Sequence, residues 1–579
     1  MKATVKTLLL LLMSVLMIAP VRAQVETGSI SGAVRDTSGA AVAAATVTVR
    51  NLATSAERSV ATGDNGQYNM TGLQPGVYEL TVTSTGFAKF TSRVEVTVGA
   101  TVKVDPQLSV SNQTTTIEVV AAGGVEVNTQ NQELSQIVNT QQMEQLPSLT
   151  RNPYDFVEIA GNVSGGDRTA AMGDQNTTNR GVGFALNGQR TSGTEVLLDG
   201  VENVDLFGAG VGEQVPLDAV QEFRVITNDF DAQYGRASGG VVNVSTKSGT
   251  NSLHGGLWEF NRLSAYTANT FANAVAGAPK GTYTRNQFGY DVGGPIIKDK
   301  LFFFQSTEWL RVRSNGVNQA FVPTPQFLAK TAPNVQAYFN AFGANKFNFA
   351  GLSPDGNFGL VNYSAPSDAG GGVPQNTHRI IGRLDFNATG KTQMFFRYAL
   401  ENIVDFNGAD FVTPYSQYDV GDSQFNNSGL FSVNHSFTPA LFSNSKISFS
   451  RINFVNTYNR AEQNVPELLL SNGATENGIP VLFPGLFAQF AGAGGLPFGG
   501  PQNVLQLTED LSWTKGKHTW RFGGAYNYQQ INRAFGAYAQ GLEQLGRTPA
   551  GGVANMLTGD LVLFQAAINP QGKFPCHTP

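Results

Sequence analysis

The 579-residue sequence has almost no cysteine, and Cys576 is its single example. One cysteine excludes an intrachain disulfide, a CxxC redox site and a cysteine-rich zinc site. The fold must therefore be held together by strand pairing and by burial of apolar side chains.

Charged residues are also scarce, at 14% of the chain, where a soluble domain averages about 25%. The 38 Lys and Arg nearly balance the 43 Asp and Glu, which leaves a net charge of −5. We expect no nucleic-acid partner, because such binding needs a basic excess.

Motifs of catalysis and metal binding are missing. The sequence has no HExxH, GxSxG or Walker motif, and its five histidines are too scattered to suggest a zinc site. The glycine-rich residues 208–212 follow no βαβ unit and lack the lysine of a phosphate loop. We therefore predict no catalytic, cofactor-binding or metal-binding residues, and a protein that is not an enzyme.

Long apolar runs are absent beyond the first residues of the chain. Lys2 and Lys6 precede an apolar run over residues 8–19, which is shorter than the roughly 20 residues of a membrane-spanning helix. Residues 1–23 have the pattern of a signal peptide, with cleavage predicted between Ala23 and Gln24. If the exported chain spans a membrane, it must do so as a closed β-barrel, because lipid cannot form hydrogen bonds with the backbone groups of an open sheet edge.

Residues 24–110 alternate between apolar and polar positions in short runs such as Val47 and Val49. Turn residues separate these runs, including residues 64–66 and 74–76. Six or seven short strands of this kind predict a β-sandwich. The segments GSISGAVRD, DNGQY and GLQPGVYELTVTSTGF resemble the carboxypeptidase regulatory-like module, a prealbumin-like sandwich without catalytic activity.

Residues 111–124 have the composition of a mobile connector, rich in Thr, Asn and Gln. Within this linker, residues 115–120 read TTIEVV. The residues alone leave two interpretations open: one more strand of the sandwich, or an extended segment that another protein binds by strand addition.

Residues 125–250 combine short helices, strands and glycine loops. Residues 136–158 predict one or two short helices, and residues 196–201 predict a buried strand that ends in an Asp-Gly turn. Residues 216–225 predict a short helix that leads into a strand. A glycine loop followed by another strand is predicted over residues 234–247.

The segments LLDG, PLDAVQEFRV and YGRASGGVVNVSTKSGTN resemble, in order and spacing, the plug domain of TonB-dependent outer-membrane transporters of the Oar-like subgroup. The resemblance covers residues 24 to about 530. It implies structural roles in the plug for Asp199, Gly200, Gly235, Gly239 and Gly240. It also implies that the linker carries a TonB box, for which the candidate residues are Thr116, Ile117, Glu118, Val119 and Val120.

Residues 251–579 read as antiparallel hairpins of a transmembrane β-barrel. Pairs are predicted between residues 287–292 and 301–310, 379–386 and 392–400, 430–437 and 446–454, and 507–513 and 520–528. In the last strand Trp520, Phe522, Tyr526 and Tyr528 share one face, as lipid-facing residues of a barrel do. About ten strands fit this region, whereas the family resemblance implies 22. We therefore expect an incomplete barrel and a fragment or prematurely terminated product.

The predicted fold is mainly β: a prealbumin-like sandwich, an α+β plug and an antiparallel barrel. The resemblance implies a monomeric outer-membrane transporter that binds an extracellular ligand through residues such as 314–375 and 455–500. Import would be driven by TonB and its inner-membrane energising complex, while outer-membrane lipid surrounds the barrel. The alternative is a surface adhesin or ligand-binding β-protein without active transport.

Overall fold

The computed structural model describes most of the chain. The described residues are 27–110, 115–116, 133–148, 150–165, 184–206, 210–230, 233–269, 271–275, 279–343, 346–409, 411–438, 440–457, 465–485, 498–515, 518–535, 541–569 and 571–573. The predicted signal peptide and its cleavage position lie outside these residues.

The N-terminal region is a β-sandwich, as predicted. Its main sheets have the strand orders β5-β1-β8 and β10-β7-β6-β3-β4. Alternation explains the fold, since Val47 and Val49 of β3 are buried between the sheets with Leu80 and Val82 of β6. The strands are β1 (Gly28–Ala33), β2 (Arg35–Asp36), β3 (Thr46–Asn51), β4 (Glu57–Ala61), β5 (Gln67–Leu73), β6 (Gly76–Thr83), β7 (Phe90–Val96), β8 (Thr101–Lys103), β9 (Gln107–Leu108) and β10 (Thr115–Thr116).

Residues 133–251 form a second unit, called here the central domain. Its mixed sheet has the order β11-β16-β17-β14-β15, and one face packs on an apolar core that includes Tyr154, Phe184 and Phe223. The strands are β11 (Leu134–Asn139), β12 (Val163–Gly165), β13 (Phe184–Leu186), β14 (Thr194–Leu198), β15 (Val201–Glu202), β16 (Val220–Asn228) and β17 (Gly240–Thr246), with helix α1 (Thr140–Gln145) and 3-10 turns at Pro153–Ile159, Thr191–Gly193 and Leu217–Ala219.

The helix predicted from residue 136 begins later than expected. Residues 136–139 belong to β11, which pairs antiparallel with β16. Asn139 then caps α1 by accepting a hydrogen bond from the Gln142 backbone, within a reciprocal capping box. The prediction was wrong for these four residues because pairing with a distant strand outweighed local helix preference.

The remaining residues form one large antiparallel sheet and the segments that connect its strands. The elements are β18 (His254–Leu263), a 3-10 turn (Ser264–Tyr266), α2 (Phe271–Val275), β19 (Thr282–Ile297), β20 (Leu301–Pro323), α3 (Pro325–Leu328), α4 (Pro333–Phe342), β21 (Gly351–Leu352), β22 (Phe358–Pro366), β23 (Gln375–Thr389), β24 (Thr392–Asp405), a 3-10 turn (Ser416–Tyr418), β25 (Gly421–Thr438), β26 (Leu441–Thr457), β27 (Glu467–Leu469), β28 (Thr475–Glu476), β29 (Ile479–Pro480), β30 (Phe498–Lys515), β31 (His518–Ile531), β32 (Ala534–Phe535), β33 (Leu542–Gln544), α5 (Pro549–Thr558) and β34 (Leu563–Gln565).

Nine long strands, called here the wall, follow each other in the order β18-β19-β20-β23-β24-β25-β26-β30-β31. The four predicted hairpins are all present, with strands longer than predicted. Within the described residues, β18 and β31 do not pair with each other, so the sheet is open there. No helix in the described part of the chain is long and apolar enough to cross a bilayer.

The two faces of the wall differ in chemistry. In β24 the side chains of Phe396 and Tyr398 are 46% and 41% exposed, whereas Arg397 and Glu401 between and beyond them are fully buried. The buried polar face lies against the central domain, and the exposed aromatic face points away from it. This alternation is that of a membrane barrel, apolar toward lipid and polar toward the lumen.

Short turns connect the strands at one end of the wall, and long segments connect them at the other. These ends are called the turn end and the loop end. The two segments predicted to capture a ligand lie at the loop end and pack together, since Phe339 of α4 contacts Phe483 with ring centroids 5.1 Å apart. Leu470 and Met556 join the same apolar cluster. These long segments therefore form a folded lobe in their described parts.

Candidate functional site: the interface between the central domain and the wall

A tight turn places Asp199 at the surface of the central domain that faces the wall. Asp199 and Gly200 connect β14 to β15 with φ angles of 52° and 69°. Both values lie in the left-handed region, which Asp tolerates and Gly adopts freely. The turn directs a carboxylate, 1% exposed, toward the polar face of the wall.

Two wall arginines hold this carboxylate. Asp199 Oδ2 lies 3.2 Å from Arg397 Nε, and Asp199 Oδ1 lies 3.5 Å from Arg383 Nη1. Within the central domain, the backbone N–H of Thr246 donates to Asp199 Oδ1 at 2.9 Å. Arg397 also donates to the Leu198 carbonyl at 3.4 Å. The turn is thus fixed to the wall by a buried charge pair and by backbone contacts.

A second buried group lies nearby on the same interface. Glu401 accepts from Arg379 Nε at 3.1 Å and from the backbone N–H of Gln214 at 3.3 Å. Ser428 donates to Glu213 Oε2 at 2.5 Å, and Asn426 donates to the Gly212 carbonyl at 3.2 Å. Wall side chains therefore bind both the side chains and the backbone of residues 212–214.

Further wall side chains bind the segment that follows Asp199. Lys446 Nζ donates to the Gly200 carbonyl at 3.3 Å, and Gln506 accepts from the Glu202 N–H at 3.1 Å. Gln502 accepts from the Leu206 N–H at 2.9 Å. Arg533, two residues beyond the last wall strand, also forms an ion pair with Asp205 at 2.8 Å.

The interface is mainly polar but includes an apolar part. Phe304, Ile381 and Ala399 of the wall join the core cluster of the central domain. Removing one partner of a buried pair costs about 3–5 kcal/mol, because the other charge stays buried. When two polar surfaces separate completely, water can replace their hydrogen bonds. The arrangement can therefore hold the central domain firmly and still allow it to detach as a unit.

Of the predicted structural glycines, Gly200 lies in the interface turn, whereas Gly239 and Gly240 lie at the other end of the central strands, where β17 begins beside Thr194. Gly240 begins β17, and a Cβ there would clash with Leu186 and approach the Ile226 carbonyl at 2.7 Å. Gly239 donates its N–H to the Gly193 carbonyl at 2.9 Å. Gly235 lies in the loop before them. Close packing of backbone thus explains glycine at positions 239 and 240.

The linker residues are only partly described. Thr116 forms β10 with Thr115 and pairs in parallel with Phe90 and Thr91 of β7. Ile117, Glu118, Val119 and Val120 lie outside the described residues. Thr115 and Thr116 therefore form an added sandwich strand, which was the first of the two interpretations. The structure describes no other residue of the segment.

Sequence reasoning identified the Asp199 turn but missed its partners. A usable signal was present, since Arg379 and Arg383 are four residues apart on β23, as are Arg397 and Glu401 on β24. This even spacing puts the charges of each strand on one face. In a charge-poor sequence, charges on the lumenal face of a predicted barrel indicate a charged partner inside it.

Among the described residues, no three or more His, Cys, Asp or Glu side chains lie close enough together to hold a metal ion. The buried carboxylates at the interface instead face arginines or hydrogen-bond donors.

Comparison with known proteins places these features in a family. A family model described as an outer membrane beta barrel domain matches residues 245–573, and one described as a carboxypeptidase regulatory-like domain matches residues 29–109. The second match confirms the predicted identity of the sandwich.

Two curated relatives are TonB-dependent proteins. The chain is 27% identical over 277 residues to the TonB-dependent transporter Oar of Myxococcus xanthus, covering 43% of this chain and 23% of the relative. It is 30% identical over 182 residues to the probable TonB-dependent siderophore receptor PirA of Acinetobacter baumannii, covering 29% and 21%. The matched regions thus span less than a quarter of each relative.

Among solved structures, the outer membrane transporter YddB from Escherichia coli aligns over 72% of this chain and 50% of the YddB chain, at 13% identity and a TM-score of 0.47.

The resemblance to Oar-like transporters that the sequence motifs indicated is confirmed by the sequence match to Oar. Since the barrel model matches more than half of the chain, the protein belongs to the outer membrane beta barrel domain family and is located in the bacterial outer membrane.

Proposed function

We propose that the protein acts as a TonB-dependent importer, with the central domain as a plug inside the wall. The observation that supports this most is the polar contact between Asp199 and the wall arginines Arg383 and Arg397. A domain held against the lumenal face by replaceable polar contacts is suited to repeated opening. The relatives named as TonB-dependent proteins support the same proposal.

The proposed ligand site is the folded lobe at the loop end, which would face the outside of the cell. The turn end, where the N-terminal sandwich lies, would then face the periplasm. An adhesin would need no domain packed on the lumenal face, so the central domain favours transport over adhesion.

Energy for opening would come from TonB, driven by the proton-motive force, because the periplasm has no ATP. We propose that residues 116–120 pair with TonB as an added strand, with Thr116 exchanging its pairing with Thr91 for one with TonB. The first ligands to test are ferric siderophores, because the Acinetobacter relative is named as a probable siderophore receptor.

Substitution Ile117→Pro tests this proposal. Proline removes a backbone donor and weakens strand pairing, so binding of the purified periplasmic domain of TonB to the detergent-solubilised full-length protein should fall by about tenfold or more. Gly123→Pro lies in the same linker outside the candidate segment and should bind TonB normally. Equal binding by both variants would show that TonB engages another segment.

Transport is tested separately from TonB binding. Cells that express Ile117→Pro should bind a radiolabelled ferric siderophore at the surface but should not accumulate it. Retained accumulation would contradict the proposed coupling, whereas absence of surface binding in the wild type would exclude that siderophore as the ligand.

A further inference from the structure

Two side chains of β16 hold one residue of the N-terminal sandwich. Glu222 accepts a hydrogen bond from the Val98 backbone N–H at 2.5 Å, and Arg224 Nη1 donates to the Val98 carbonyl at 3.1 Å. All three residues are 5% exposed or less. The central domain thus binds both backbone groups of a single sandwich residue.

The next residue explains why the two domains can approach so closely. Gly99 has a φ angle of +62°, and a Cβ at this position would lie on top of Arg224 Nη1. Any larger residue would displace the guanidinium group from the Val98 carbonyl. The turn between β7 and β8 is therefore shaped to receive the arginine.

Arg224 also connects this contact to the start of the central domain. Its Nη2 donates to Glu133 at 2.8 Å, and its Nε lies 3.3 Å from Ser135 Oγ. Glu133 is the first described residue after the linker. The sandwich, the strand β16 and the beginning of the central domain consequently meet at one buried arginine.

The same sandwich also binds the turn end of the wall. Arg58 donates to Ser436 at 2.7 Å, and Asn69 donates to Thr514 at 3.1 Å. Phe442 packs directly over Gly72, where a Cβ would clash with its ring. These wall residues flank two different turns, β25 to β26 and β30 to β31.

These contacts form a bridge. The sandwich is bound to the wall on one side and to β16 on the other, so β16 cannot move away from the wall while both sets of contacts persist. We propose that the N-terminal sandwich is a retaining cap, which holds the central domain against the wall and must undock before that domain can move. This role does not depend on the transport function proposed above.

Two glycine substitutions in the full-length protein test the cap. Gly99→Ala should displace Arg224 and release β16. Gly86→Ala is the matched control, because Gly86 also has positive φ, at +87°, but a Cβ there would meet nothing within 4 Å. In outer-membrane vesicles, hydrogen exchange of peptides that cover β11 and β16 should rise roughly tenfold in Gly99→Ala and stay unchanged in Gly86→Ala. Equal exchange in the two variants would overturn the proposal.

A crosslink distinguishes loss of docking from misfolding of the sandwich. In a Cys576→Ser background, the pair Asn69→Cys and Thr514→Cys should join the sandwich to the wall and slow exchange in β16, and a reductant should reverse this effect. The control pair Ser29→Cys and Thr101→Cys joins two strands within the sandwich, whose hydroxyl groups lie 2.7 Å apart. If the crosslink to the wall slows exchange in β16 no more than the control does, the sandwich does not retain the central domain.

Discussion

At the scale of the residue, Asp199 has two separable roles. Its backbone forms a left-handed turn, and its carboxylate forms ion pairs with two buried arginines. Asparagine also tolerates the left-handed conformation, so Asp199→Asn should keep the turn and remove the charge. In this variant Arg383 keeps its ion pair with Asp385 at 2.9 Å, whereas Arg397 loses its carboxylate partner. Most of the loss of stability should therefore come from the unpaired, buried charge of Arg397.

We expect Asp199→Asn to destabilise the docked central domain by about 3–5 kcal/mol, measured by pulse proteolysis of that domain in urea. Asp229→Asn is the control, since Asp229 also has positive φ, at 53°, but is exposed. The double variant with Arg397→Met should lose less stability than the two single losses summed, because no unpaired charge remains. Additive losses would show that the pair does not act as a unit.

At the scale of the element, β16 connects the cap to the central domain and carries a titratable group at the contact. Burial raises the pKa of Glu222 to about 7. The hydrogen bond from the Val98 N–H lowers this pKa, the negative charge of Glu95 raises it, and the positive charge of Arg224 lowers it. Arg224 is itself paired with Glu133. The docked state therefore binds a proton more strongly than an undocked state in which the pKa returns toward 4.5.

Docking should consequently be strongest at low pH and weaken as the pH rises toward and through 7, by on the order of 2 kcal/mol between pH 5 and pH 8. Spin labels introduced through cysteine at Lys89 of the sandwich and Glu144 of the central domain, both exposed, would report the undocked fraction as a longer distance. Glu222→Gln should make that fraction independent of pH, and Glu95→Gln should only shift the midpoint downward. A pH dependence that persists in Glu222→Gln would assign it to another group.

The elements also show what the sequence can predict. The wall hairpins were predictable because period-two alternation persists along each strand and short turns join neighbours. The Asp199–Arg397 contact joins residues 198 positions apart, and no local pattern specifies which lumenal charge meets which turn. Likewise, residues 136–139 became a strand through a partner more than 80 residues away, which local helix preference cannot register.

At the scale of the whole molecule, the wall separates two environments, and the energetic cost of a charge should depend on which face and depth it occupies. Phe431 lies in the middle of β25 and is 40% exposed on the aromatic face, whereas Phe437 lies on the same face beside the turn end. Lipid at mid-depth disfavours arginine by roughly 2–4 kcal/mol, and the interfacial region by about 0–1 kcal/mol.

Phe431→Arg should therefore reduce recovery of the protein in the outer-membrane fraction far more than Phe437→Arg does. Both substitutions remove a phenylalanine and add one positive charge, so depth in the membrane is the variable that differs. Phe431 and Phe437 are 40% and 49% exposed, and each has a neighbouring ring, Phe396 across from Phe431 and His435 beside Phe437, so loss of packing should be similar at the two positions. Equal recovery, or the reverse order, would contradict a lipid-facing position for this surface and with it the assignment of the nine strands as a membrane wall.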